Sequence, residues 1–300
     1  MASLRDFYPS TDPRTDPGAG RQPEPVLSVE FWPPKTEAGE RSLFAEIERL
    51  RAVRPAFCSM TYGAGGSTRD KTVDLVVRIQ REFGIAMMCH LTVVGQTSAE
   101  VCGVLDRLSE EGVFNIIALG GDPAPGTEWA AHADGFTYAS ELVVEARRRD
   151  ERFAVAVAGF PEVHPRAASR EDDLRHLKAK VDAGASVVIT QLFFDNNDYY
   201  RFVEDARAIG IEVPIVPGIL PIRSGAQIRR FAKMCGAGIP PRLDAMLTSA
   251  GDDDEAVRRL GVDYATEQCE QLLKFGVPGF HFYSLNRADA LLEIYRRLGL

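Results

Sequence analysis

The chain has 300 residues, 45% hydrophobic and 26% charged, with a formal net charge of -8. That composition is ordinary for a soluble globular protein, and the acidic balance speaks against a nucleic-acid or anionic-membrane partner. The five cysteines (Cys58, Cys89, Cys102, Cys235, Cys269) form no C-x-x-C pair, which speaks against a disulfide framework and favours a reducing compartment, with the cytoplasm as the expected location.

Residues 1–25 are rich in Pro, Gly, Asp and Arg with few apolar anchors, and read as a flexible N-terminal tail. From Val26 to the C-terminus a single domain is expected. Short apolar runs begin there: "VLSVEFW" (26–32), "AFCSMTY" (56–62), "AMMCHLTVV" (86–94), "NIIALGG" (115–121), "FAVAVAGF" (153–160), "SVVITQLFF" (186–194), "VPIVPGIL" (213–220) and "GFHFYSL" (279–285). Amphipathic stretches separate them. One helix is expected to open on Thr97 or Ser98 and stop at Gly112, and another to open on Ser169 and stop at Gly184. Near-continuous apolar strands alternating with helices mean parallel strands covered on both faces. Eight such units predict a (β/α)8 TIM barrel, with two or three extra helices in the seventh unit, roughly 224–278. An open doubly wound sheet would more often carry a G-x-G-x-x-G turn after its first strand, and this one runs into Trp32-Pro33-Pro34.

A barrel builds its site at the C-terminal ends of its strands. Those ends deliver Glu30, Thr61 with the Gly63–Ser67 turn, His90, Gly120-Gly121-Asp122, Phe160 to Pro165, Gln191, Pro217 to Pro221, and His281 with Tyr283 and Arg287. Each has a bland reading as a strand-end or core group, but a barrel mouth is where such groups meet. Glu30 is the odd one, because a carboxylate inside an apolar run costs free energy unless paired or protonated. No H-x-H, H-E-x-x-H or clustered Cys pattern points to a metal, and no G-x-S-x-G elbow points to a nucleophilic hydrolase. Two carboxylates (Glu30 and Asp122), aromatics and Gly-rich loops suit a planar heteroaromatic ligand and a phosphate.

The strings "SVEFWPPK", "MTYGAGGS", "LGGDP", "FPEVHP", "DAGASVVITQLFFD", "PGILPI" and "FHFYSLNRA" resemble, in order and spacing, the methylenetetrahydrofolate reductases. The resemblance covers the chain from about Val26 onward. It implies a barrel holding FAD that reduces 5,10-methylenetetrahydrofolate to 5-methyltetrahydrofolate with NADH or NADPH, in a ping-pong scheme. Glu30 matches the catalytic acid that opens the folate's five-membered ring. Asp122 matches an aspartate near flavin and pterin, and Gln191 a folate-binding glutamine; Tyr283 and Arg287 join them as candidate substrate-binding residues. The expected FAD-contacting set is Thr61, His90, Leu119, Gly120, Gly121, Asp122, Tyr138, Ala139, His164, Asp173, His176 and Lys180. A homo-oligomer is compatible with the resemblance.

The chain departs from bacterial members at four places. They carry Leu-Arg-Gly-Asp where this chain has Leu119-Gly120-Gly121-Asp122, and a tyrosine at Phe160. An asparagine and an arginine are His176 and Ala179 here, and an aromatic falls at about Gly225. Two lost contacts at about 1–3 kcal/mol each imply looser FAD binding, with His176, Arg175 and Arg170 as candidate replacements. Restoring arginine at Gly120 should tighten FAD binding unless another residue already fills that role. The alternatives are the same reaction without flavin, by direct hydride transfer, and a folate-binding accessory subunit.

Overall fold

Val187-Val188-Ile189-Thr190 is a β-branched run suited to a pleated, doubly buried surface, and it and the other strands all pair in parallel. The computed structural model describes residues 1–8, 24–62, 69–123, 126–251 and 253–300. Strands β1 (Val26–Phe31), β2 (Phe57–Met60), β3 (Ala86–Thr92), β4 (Asn115–Leu119), β5 (Ala154–Gly159) and β6 (Val187–Thr190) follow one another around the barrel. The seventh position is split into β7 (Ile215–Val216) and β8 (Gly218–Ile219). Pro217 between them has no N–H to give a ladder. β7 pairs with β6 and β8 pairs with β9 (Gly279–Tyr283), which pairs with β1 and closes the ring. The expected eight-unit barrel is therefore what forms.

Helices α2 (Glu37–Leu50), α3 (Arg69–Phe83), α4 (Ser98–Glu110), α5 (Ala139–Arg149), α6 (Arg170–Asp182) and α7 (Asn196–Ala208) cover the outside, and α11 (Asp289–Leu298) follows β9. The Thr97 hydroxyl accepts from Glu100 N and the Glu100 carboxylate accepts from Thr97 N, a capping box that fixes the start of α4. Ser169 caps α6 as expected. The extra material of the seventh unit is three helices, α8 (Gly225–Cys235), α9 (Pro241–Ala250) and α10 (Asp254–Phe275). They share a separate apolar cluster of Leu220, Ile228, Leu243, Leu247 and Val257. No described helix is long and apolar enough to cross a membrane.

Strand periodicity sorts the side chains into two shells. Leu27, Val29 and Phe31 face outward, buried with Leu43, Ile47 and Leu50 of α2. The alternate residues face the barrel axis. At the N-terminal end these are Phe57, Ala86, Met88, Ile117, Ala156, Val187 and Ile189, an apolar plug. Toward the C-terminal end they become Ser28, Glu30, Ser59, His90, Thr92 and His281, all buried. Apolar packing at one end thus gives way to a buried polar layer at the other.

Residues 1–8 differ from the flexible tail expected over 1–25. A short helix α1 (Leu4–Phe7), capped by Ser3, closes the bottom of the barrel. Leu4 is wholly buried against the inner apolar cluster. Asn115 anchors it: its Oδ1 accepts from Leu4 N at 2.9 Å and its Nδ2 donates to Ala2 O at 3.1 Å. Arg5 Nη2 donates to Phe153 O at 3.0 Å. The stretch 9–23 lies outside the described residues, as does the Gly63–Ser67 turn.

Candidate active site

Parallel register sets the height of Glu30. It pairs with Ser59 of β2 on one side and Tyr283 of β9 on the other. Its own backbone is pinned, because Ser284 donates to Glu30 O from Oγ at 2.6 Å. The side chain is 9% exposed at residue level, and its Oε2 lies 3.3 Å from His90 Nε2 and 3.7 Å from His281 Nε2. The Glu30–His90 approach falls outside hydrogen-bond geometry, so buried His90 Nε2 has no hydrogen-bond partner among the described residues.

The two rings are held differently. Ser28 Oγ donates to Phe280 O at 3.1 Å and lies 2.8 Å from His281 Nδ1. Ser28 thus holds the His281 ring from its Nδ1 side. Its Nε2 lies on the Glu30 side. Burial pushes the His90 imidazole down to about 4, the Glu30 charge opposing that shift and His281 adding to it. His90 is therefore neutral at physiological pH.

That depression has a sign for stability. An unfolded histidine takes up its proton near 6.5 and folded His90 only near 4, so the unfolded chain binds more protons between those values. Stability contributed by neutral His90 is present above about 6.5 and is lost as pH falls toward 4, by about 3 kcal/mol in all. His90→Gln should therefore flatten the rise in urea midpoint between pH 4.5 and pH 7. An unchanged pH profile in that variant would refute a neutral, desolvated His90.

Other strand ends extend this centre. The Tyr283 hydroxyl donates to Thr190 O at 2.6 Å, beside Gln191. Gln191 uses its Oε1 to accept from Leu192 N at 2.8 Å. Thr61 follows β2, its N–H donating to Phe31 O at 2.9 Å. Leu119 pairs with Thr92 at the end of β4. Gly121 then turns the chain with φ of 81°, where a Cβ would come within 2.6 Å of Val94 Cγ1 and 2.7 Å of Thr92 Cβ. Only glycine fits such a turn, and it delivers exposed Asp122. Arg287 does not join the group: its Nη1 lies 3.8 Å from Glu46 Oε1 on α2.

Beside the mouth lies a cavity of about 310 Å³, lined among others by Tyr138, Ala139, His164, Asp173, His176 and Lys180. Seven expected cofactor positions meet there, since Gly120 lines it as well. Tyr138 stacks on His176 with centroids 5.3 Å apart and planes 24° apart. Asp173 Oδ2 accepts from His164 N at 2.9 Å. Lys180 Nζ donates to Ala158 O at 2.6 Å. Burial lowers its ammonium to about 8, with Asp173 opposing the shift, so it stays charged at neutral pH. Phe160, in place of the expected tyrosine, packs edge-on to His164 with centroids 4.5 Å apart.

Several residues at the mouth were not singled out from sequence as site residues. Phe231 of α8 meets Trp32 edge-on with centroids 6.1 Å apart, so the helix that begins at Gly225 does bring an aromatic to this region. Cys235 lies near enough to Asp122 and Glu30 to feel both charges, although burial is the main cause that raises its thiol to about 11. Arg166 and Trp129 line the cavity. No local pattern marks these residues, because three-dimensional contacts between loops bring them in. No group of His, Cys, Asp and Glu among the described residues could hold a metal.

The donor set fits an anionic, aromatic cofactor. Two cationic side chains, two half-exposed histidines and stacked rings line one cavity.

Comparison with known proteins agrees with this architecture. The family model for methylenetetrahydrofolate reductase matches residues 19–299. The chain is 39% identical over 290 residues to methylenetetrahydrofolate reductase (NADH) 1 of Arabidopsis thaliana, covering 93% of this chain and 49% of that protein. It is 38% identical over 274 residues to 5,10-methylenetetrahydrofolate reductase of Escherichia coli K12, covering 91% of this chain and 90% of that one. The chain thus spans about half the length of the plant relatives and nearly the whole of the Escherichia coli protein. Among solved structures, an uncharacterized protein from Clostridium thermocellum that binds two copies of 5-methyl-5,6,7,8-tetrahydrofolic acid matches with a TM-score of 0.58 at 19% identity. The match covers 91% of this chain and 93% of that one, and it bears on the fold. With the barrel formed as the shared strings imply, the chain belongs to the methylenetetrahydrofolate reductase family.

Proposed function

We propose that this chain reduces 5,10-methylenetetrahydrofolate to 5-methyltetrahydrofolate with NADH or NADPH, using FAD held in the cavity beside the barrel mouth. The observation that carries the reading is Glu30, a lone carboxyl in the buried polar layer, flanked by neutral His90 and open to the mouth. A site that only bound folate would have no use for a proton donor there. The relatives named above are called methylenetetrahydrofolate reductases, one of them with NADH.

When bound, FAD supplies the redox chemistry between nicotinamide and folate. The protein's part is position and protonation. Tyr138, Ala139, His164, Asp173, His176 and Lys180 hold the cofactor, and His90 offers it a neutral ring nitrogen. Glu30 gives a proton to the folate so that its five-membered ring opens. Gln191, Asp122 and Tyr283 orient the pterin, with Arg287 the least favoured because it is drawn to Glu46. Five free cysteines accord with a reducing compartment, the cytoplasm.

The test is product formation. Purified protein given NADH or NADPH, 5,10-methylenetetrahydrofolate and FAD should yield 5-methyltetrahydrofolate, resolved by chromatography, at a rate that falls when FAD is left out. Equal product without flavin would favour direct hydride transfer. No product with either nucleotide, despite folate binding, would favour the accessory subunit.

A further inference from the structure

We infer that Arg166 holds the phosphates of the bound dinucleotide, occupying the place that bare Gly120 leaves open. The inference rests on the flavin reading above and adds a residue to it. Gly120 follows β4 at the rim of the cavity, and a Cβ built on it would lie 3.1 Å from Arg166 Nη2. That is tighter than an ordinary carbon contact, so a long side chain at position 120 and the guanidinium of Arg166 compete for one space. Arg166 reaches it from the neighbouring loop after β5, two residues past His164, whose Nδ1 accepts from Arg166 N at 3.0 Å.

Two further contacts fix the guanidinium there. It stacks on Trp129, its Cζ 4.4 Å from the ring centroid, and Trp129 Nε1 donates to Gly120 O at 3.4 Å. The indole therefore ties the glycine and the arginine into one assembly on the wall of the cavity. Cation–π stacking orients a guanidinium while leaving its N–H edge free.

That edge is unspent. Among the described residues no hydrogen bond or ion pair engages the Arg166 guanidinium, and the acid whose charge reaches it is exposed Asp122. The arginines expected to replace the missing family arginine are engaged elsewhere. Arg170 Nε pairs with Asp205 at 2.6 Å, and its Nη1 donates to Pro161 O and Glu162 O at 3.2 and 3.0 Å. Arg175 pairs with Asp172. Within the cavity, the buried Lys180 ammonium already donates to Ala158 O. A partly desolvated guanidinium with its donors free is suited to a phosphate, which it meets through two parallel N–H groups.

The probes are FAD and NADH, titrated separately into the wild-type protein, R166Q, G120R and the double variant G120R/R166Q, with binding read from flavin absorbance and nucleotide fluorescence. R166Q should weaken FAD binding by roughly ten- to a hundredfold. G120R alone should fail to tighten it, because the two arginines crowd and repel. The double variant should regain most of the loss, which a merely structural role for Arg166 would not give. Unchanged FAD affinity in R166Q, or a double variant no better than R166Q, overturns the assignment while leaving the flavin reading intact. If the wild-type protein binds no FAD, the flavin reading fails, and the NADH series decides: a loss in R166Q that the double variant recovers keeps Arg166 as the phosphate residue of the nicotinamide dinucleotide, and no change removes it.

Discussion

Replacing Glu30 by glutamine should slow folate reduction by about 10²–10⁴-fold, the range that a positioned general acid contributes. Glutamine keeps the shape and the acceptor oxygen but has no acidic proton. The backbone of residue 30 is held by Ser284 and by two neighbouring strands, so the variant should keep its place in the mouth. Oxidation of NADH or NADPH by bound FAD requires no proton from this group and should stay within a few-fold of wild type. The two half-reactions are separable by stopped-flow absorbance. An equal loss in both would take the folate-specific role away from Glu30 and leave it a structural or flavin-binding residue.

At the other end of the barrel, Leu4→Ala should cost about 2–5 kcal/mol of stability, the usual range for truncating a buried leucine. Leu4 is 0% exposed and packs among Phe57, Ala86, Met88 and Ile117. Its backbone is bound by Asn115, so the cavity left behind cannot readily collapse. FAD affinity should not change, because the cofactor cavity opens at the opposite end. Urea unfolding monitored by circular dichroism gives the first quantity. A loss below about 1 kcal/mol would mean that α1 docks without closing the core.

These two residues mark what the sequence makes legible and what it does not. The strands are legible because a barrel strand is buried on both faces, so runs such as "FAVAVAGF" need no partner to be recognised. The caps at Thr97 and Ser169 are legible because capping is local. Glu30 stands out for the same reason: a carboxylate inside such a run needs explaining. The N-terminal plug is hidden, since four helical residues among prolines and glycines carry no period, and their anchor, Asn115, is more than a hundred residues away. The split of the seventh strand at Pro217 is visible only once both neighbours are in place.

The cavity shows the same division. Tyr138, His164, Asp173 and Lys180, positions that the family resemblance supplied, do line one space. Arg166 sits next to one of the shared strings, yet its role follows from where Gly120 has no side chain. The guanidinium of Arg166 lies where a side chain at position 120 would begin. Arg287 illustrates the converse, a residue at the right strand end whose side chain is drawn away by Glu46.

The most direct measurement is anaerobic mixing of FAD-loaded protein first with NADH or NADPH and then with 5,10-methylenetetrahydrofolate, following flavin absorbance and the folate product together. Bleaching is expected in the first step, then return of colour in step with one equivalent of 5-methyltetrahydrofolate. Reduced flavin that the folate leaves bleached, or product formed as fast by protein that carries no flavin, would contradict it.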